Sequence, residues 1–230
     1  AAFVLSDAIG PWLAAAGDLS LLFVLCAAIA RELISARTWR NLPVLLLFIV
    51  FFIGNALVHM ENLGFADSAA SGNRLGIYVL VILVAVIGGR MVPSFTRNFL
   101  SRQGAESLPA PVGFYDRFCL AALALFMPAY WIWPETQPSA VGAIIVAGLH
   151  IFRLVRWRGH ATGNEPLVWA LHLGYGWVVL GVGMLGIAGL TDWLFESAAL
   201  HALTIGGFGT MIMAMMCRMI LSYAGRPSAA

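Results

Sequence analysis

The residues best suited to chemistry in this 230-residue chain are its histidines, and four of the five, His59, His150, His172 and His201, lie inside or at the edge of long apolar runs. The fifth, His160, sits in an arginine-rich polar segment. An ionisable side chain is costly to hold among apolar residues, so each of the four is expected to face a partner or a cavity. Neutral imidazole is an axial ligand for haem iron and also suits copper. Each histidine taken singly also fits a plainer use, as a hydrogen-bonding residue between helices. Asn55 precedes His59 by four residues, which puts both on one helix face. There it would orient the imidazole or bond a neighbouring helix. Arg90 and Arg218 lie at the ends of apolar runs, where a guanidinium pairs with carboxylates such as haem propionates or marks the membrane border. Met211, Met215 and Met219 recur at every fourth position, with Cys217 between them. Sulfur ligands suit Cu(I), while methionine also serves as a flexible core filler.

The elements that must carry these groups follow from composition. Apolar residues make up 61% of the chain and charged residues 10%, and the mean hydropathy is +0.88. A soluble domain carries about 25% charged residues, so a cytosolic enzyme and a disordered chain are excluded. The formal net charge is +2, and all 13 basic residues are arginines placed singly between apolar runs rather than in a stripe, which excludes a nucleic-acid partner. Cys26, Cys119 and Cys217 have no pairable spacing and predict no disulfide framework. Residues 1–12 lack the basic start and cleavage site of a signal peptide.

Seven runs reach the roughly 20 apolar residues a helix needs to cross a hydrocarbon core of about 30 Å. They cover 11–34, 42–60, 75–92, 115–133, 138–155, 166–190 and 199–223. The expectation is an all-α, polytopic membrane helix bundle in a single domain over 1–230, with the bilayer as its first partner. The longest connection, 93–114, reads as a cytoplasmic loop. Twelve arginines fall on one side, after spans one, three, five and seven; the other side has Arg74 with Asp67, Glu135, Asp192 and Glu196. The positive-inside rule then puts the N-terminus outside and the C-terminus in the cytoplasm. Trp12, Trp131, Trp133 and Trp193 mark the outer boundary, and Trp39, Trp157 and Trp169 the inner one, as an aromatic belt.

At about 1.5 Å per residue, this topology places His59 and His201 near the outer face and His150 and His172 nearer the inner one. Two depth-matched pairs on different helices are how a bundle holds a haem between them. Gly181, Gly183, Gly186 and Gly189, then Gly206, Gly207 and Gly209, read as close-packing surfaces. Two other readings compete. A histidine-lined transporter or channel predicts spans broken by glycine or proline near the midplane, and no span reads as discontinuous. A structural subunit of a redox complex would use the glycine-rich faces for packing. No serine-histidine-aspartate spacing, phosphate loop or zinc-protease motif occurs.

Three segments carry a family resemblance. Gly88-Gly89-Arg90-Met91-Val92-Pro93-Ser94-Phe95-Thr96-Arg97-Asn98 resembles the GGRMxPSFTRN signature of the NnrS membrane proteins. Pro166-Leu167-Val168-Trp169-Ala170-Leu171-His172-Leu173-Gly174-Tyr175 is similar to the PLxWxLHLGY segment of that family. His201-Ala202-Leu203-Thr204-Ile205-Gly206, with Arg218 and Gly225-Arg226-Pro227 after it, is similar to its HALTxG…R…GRP ending. The resemblance implies a multi-pass bacterial inner-membrane protein that binds haem b and copper in the response to nitric oxide and nitrosative stress, in denitrification settings. It implies His172 and His201 as ligands and carries Arg90 and Met91 with them, Met91 joining the soft sulfur donors. It further implies nitric oxide or another small diatomic as ligand, and a redox partner or further helices as neighbours. Family members are expected to hold an N-terminal part with more spans and histidines than this chain has.

Overall fold

The computed structural model describes residues 10–37, 39–134 and 136–223. Glu135 and the Gly225-Arg226-Pro227 ending lie outside them. The described residues form α1 (Pro11–Ser35), α2 (Leu42–Asn62), α3 (Ala69–Arg102), α4 (Phe114–Ile132), α5 (Gln137–Arg156), α6 (Pro166–Leu190), α7 (Glu196–His201) and α8 (Thr210–Tyr223). A π-helix, Ala202–Gly209, joins α7 to α8. No strand occurs among the described residues, so the all-α class stands.

Every expected run is helical, and six of the resulting rods are long and apolar enough to cross a membrane. The exception is α4, whose first turn carries Asp116 and Arg117. In the other direction, α3 corrects the reading of 93–114 as loop, because the helix continues through Pro93 to Arg102. Val92, Thr96 and Leu100, at every fourth position, are buried along this extension, and the Thr96 hydroxyl bonds back to the Val92 carbonyl at 2.8 Å. Packing of that stripe outweighs the hydrogen bond lost at proline. Span seven also departs from expectation, since its backbone widens into the π-helix directly after His201. Such stretches are rare and recur at functional sites.

The chain divides into two compact units, Ala1–Leu80 and Val81–Ala230, with the boundary inside α3. In the first unit α1 packs along α2. In the second, α6 is the hub, packed against α5, α7, the π-helix and α8. Its glycines act as the close-packing surfaces expected of them. A methyl group at Gly186 would lie 2.7 Å from the Ala140 carbonyl oxygen, and one at Gly207 would lie 2.6 Å from the Val178 side chain. Trp12, Trp39, Trp133, Trp169 and Trp193 are exposed, as an aromatic belt requires. Trp157 departs from that belt and is buried in the second unit.

Candidate functional site

The core of the second unit holds a chain of buried polar side chains. Asp116 enters from the first turn of α4, where its Oδ2 accepts the Gly113 amide at 3.1 Å and so caps the helix. Its Oδ1 accepts the Arg153 Nε–H of α5 at 3.0 Å. Arg153 Nη1 donates to the Tyr175 hydroxyl of α6 at 2.8 Å. Since that oxygen already accepts from arginine, its own hydrogen goes to His150 Nδ1, 2.7 Å away. His150 Nε2 faces the Cys119 carbonyl at 3.1 Å, and a carbonyl only accepts, so Nε2 carries the ring hydrogen. Asp116, Arg153, Tyr175 and His150 are each 3% exposed or less. Trp157 closes the group, with its ring 4.6 Å from Tyr175 and the Arg153 guanidinium 5.1 Å from its centroid.

His172 lies beside this aromatic pair, with its ring edge-on to Trp157 at 6.5 Å. Its Nδ1 faces the Val168 carbonyl at 2.9 Å and must be the donor, which leaves the lone pair on Nε2. Nε2 lies 3.3 Å from the Thr96 hydroxyl, which gives its hydrogen to Val92 over the shorter 2.8 Å, and the ring also meets the Trp157 backbone. His172 is buried.

The outer pair falls in two different units, and each member has its own surroundings. His59 is buried in the first unit with Nε2 3.0 Å from Asp18 Oδ2 of α1, and Asn55 Nδ2 donates to the same oxygen at 2.9 Å. Asn55 and His59 share a face, as their spacing requires, and both meet Asp18. His201 is exposed at the end of α7. Its Nδ1 donates to the Ser197 carbonyl at 2.6 Å, so Nε2 again holds the lone pair, here on an exposed ring.

The family described as NnrS protein matches residues 1–230. The chain belongs to the NnrS family. No curated protein and no solved structure matches it. With its six apolar helices, this NnrS chain is a multi-pass membrane protein, and family membership fits a role in the response to nitric oxide.

The remaining residues singled out in the NnrS sequence take separate places. Arg90 and Met91 are exposed on α3. Arg218 lies 4.0 Å from Glu165 and stacks 4.0 Å over the Phe95 ring. Met211 is buried, with its side chain against the faces of Gly88 and Gly174. Met215 is half-buried, and Met219 and Cys217 are exposed. The sulfur run is thus graded from core to surface along α8. No cluster of three histidine, cysteine or acidic side chains able to hold a metal ion occurs among the described residues.

Sequence reasoning missed Asp18, Asp116, Arg153 and Tyr175. Arg153 reads as one more arginine of the positive-inside set, yet it is 1% exposed. The available signal was an arginine three residues after His150 on a helix face, opposite an aspartate at the start of an apolar run. Tyr175 joins the two halves of the network. Its replacement by phenylalanine removes the donor to His150 and the acceptor for Arg153 and leaves both buried. The expected loss is about 1–3 kcal/mol, read as a lowered unfolding midpoint in detergent with the secondary structure retained.

Proposed function

We propose that this NnrS chain is a haem-binding membrane protein of the nitric oxide response, with His201 as the ready imidazole ligand and His172 as the second. The observation carrying the reading is the fixed tautomer of His201. Its Nδ1–H is held by the Ser197 carbonyl, so an exposed ring keeps Nε2 as an acceptor. The same back-bond to Val168 orients His172, which becomes available once the ring leaves the Thr96 hydroxyl and the Trp157 backbone. His150 has both ring nitrogens engaged, and His59 is bonded to Asp18, so neither is assigned to the haem. When bound, haem supplies a one-electron iron centre able to take a small diatomic molecule. The protein's part is to orient the imidazole through Ser197 and to set its direction through the change of backbone pitch that begins at Ala202.

The test is the optical spectrum of the detergent-purified chain, oxidised and dithionite-reduced, with haem quantified as its pyridine complex and nitric oxide then added. The expected result is a Soret band that loses at least half its intensity in His201→Ala, weakens in His172→Ala and persists in His150→Gln. A shift on adding nitric oxide would assign an open coordination position. A colourless protein after growth with supplied haem, or a band indifferent to both His201→Ala and His172→Ala, overturns the proposal.

A further inference from the structure

The first unit holds a second constellation, which the haem reading does not use. Over most of their length α1 and α2 are apolar, and three of their few polar side chains converge on one point. Asp18 Oδ2 receives Asn55 Nδ2 at 2.9 Å and His59 Nε2 at 3.0 Å. The imidazole is 5% exposed, whereas the Asp18 side chain is 37% exposed, so the group is closed on one side and open along the carboxylate edge.

We propose that Asp18, Asn55 and His59 form a binding site for one borderline first-row divalent cation of the zinc or cobalt type. Asn55 and His59 stand at i and i+4 on one helix, the spacing by which a helix offers two ligands to a single ion. Asp18 supplies the third from the neighbouring helix. Bonds of about 2.0–2.2 Å from a tetrahedral ion to nitrogen and oxygen place those two atoms about 3.3–3.6 Å apart. The Nε2–Oδ2 separation of 3.0 Å is that of a hydrogen bond, so the two atoms would part by a few tenths of an ångström to take an ion in place of the hydrogen. A tautomer shift to Nδ1–H frees Nε2, and rotation of the Asn55 amide presents its oxygen in place of its nitrogen. The open edge of Asp18 leaves the fourth position to water or to an outside ligand. One nitrogen and two oxygens without sulfur favour a zinc-like ion over Cu(I), and three donors are too few for calcium.

The probe is Co(II) added to the detergent-purified full chain, read by its visible ligand-field bands, with Zn(II) titrated by calorimetry. The expected result is one saturable equivalent, with binding at least about 100-fold weaker in Asp18→Asn and in His59→Gln. A third variant separates a metal site from a hydrogen-bonded lock between helices. Asn55→Asp adds a carboxylate and is expected to tighten binding. If the trio is only a lock, the same change sets two carboxylates together, lowers stability and yields no Co(II) bands. Absence of saturable binding in the parent chain, or binding that survives in both Asp18→Asn and His59→Gln, overturns the proposal. None of these readouts depends on haem.

Discussion

Replacing Asp116 with alanine is expected to cost the second unit about 3–5 kcal/mol, the range for stranding one member of a buried ion pair. Arg153 is 1% exposed, and Asp116 is the anion it touches, at 3.0 Å. Its other acceptors, the Tyr175 hydroxyl and the Ala85 carbonyl at 3.3 Å, are neutral. Arg156, 3.8 Å from the same carboxylate, would be left beside Arg153 without it. The Gly113 amide would lose its cap as well. Denaturant or thermal unfolding in detergent, followed by circular dichroism, measures the effect. The paired change Asp116→Leu with Arg153→Met should recover much of the loss, because apolar residues of similar size carry no desolvation cost. A single Asp116→Ala variant as stable as the parent would mean that Arg153 reaches water and the pair is not buried in the membrane protein.

Gly89→Ala is expected to be nearly as damaging, at about 3 kcal/mol or more, through overpacking and the broken pair together. A methyl group there would overlap the Arg153 guanidinium, which is held by Asp116, Tyr175 and Ala85 and has no slack. Arg153 would have to leave its site, and the Tyr175–His150 bond would lose its anchor. The adjacent Gly88→Ala is the control. A methyl group at Gly88 meets the Met211 terminal carbon at 2.7 Å, the far end of a flexible side chain that can turn aside. That variant should stay within about 1 kcal/mol of the parent, helped by the better helix propensity of alanine. Equal effects at the two positions would refute the close packing of Gly89 on Arg153. The two glycines open the GGRM segment, and the contrast gives a physical reason for the second of them.

The helices and their membrane character were legible in the residues because hydropathy and length are properties of a segment alone. Each apolar run needs no knowledge of its neighbours to be read as a span, and even α4, short of full apolarity, is helical where its run predicts. The i, i+4 relation of Asn55 and His59 is equally local, and it holds. The family is legible in three ordered motifs for the same reason.

Partnership is a different kind of quantity. Asp18 meets Asn55 and His59 from 37 and 41 residues away, and Arg153 meets Asp116 across 37. Which face of one helix turns toward which face of another is decided by ridge-and-groove packing and close approach at small residues, summed over the bundle. Depth along the membrane could be counted from the chain, and it grouped His150 with His172, both of which lie in the second unit. It could not foresee that His150 meets Tyr175 while His172 meets Trp157, that His150 has both nitrogens engaged, or that His201 lies exposed beside a widened backbone turn. Those facts belong to rotation about helix axes, which a linear count leaves free and only the packed structure decides.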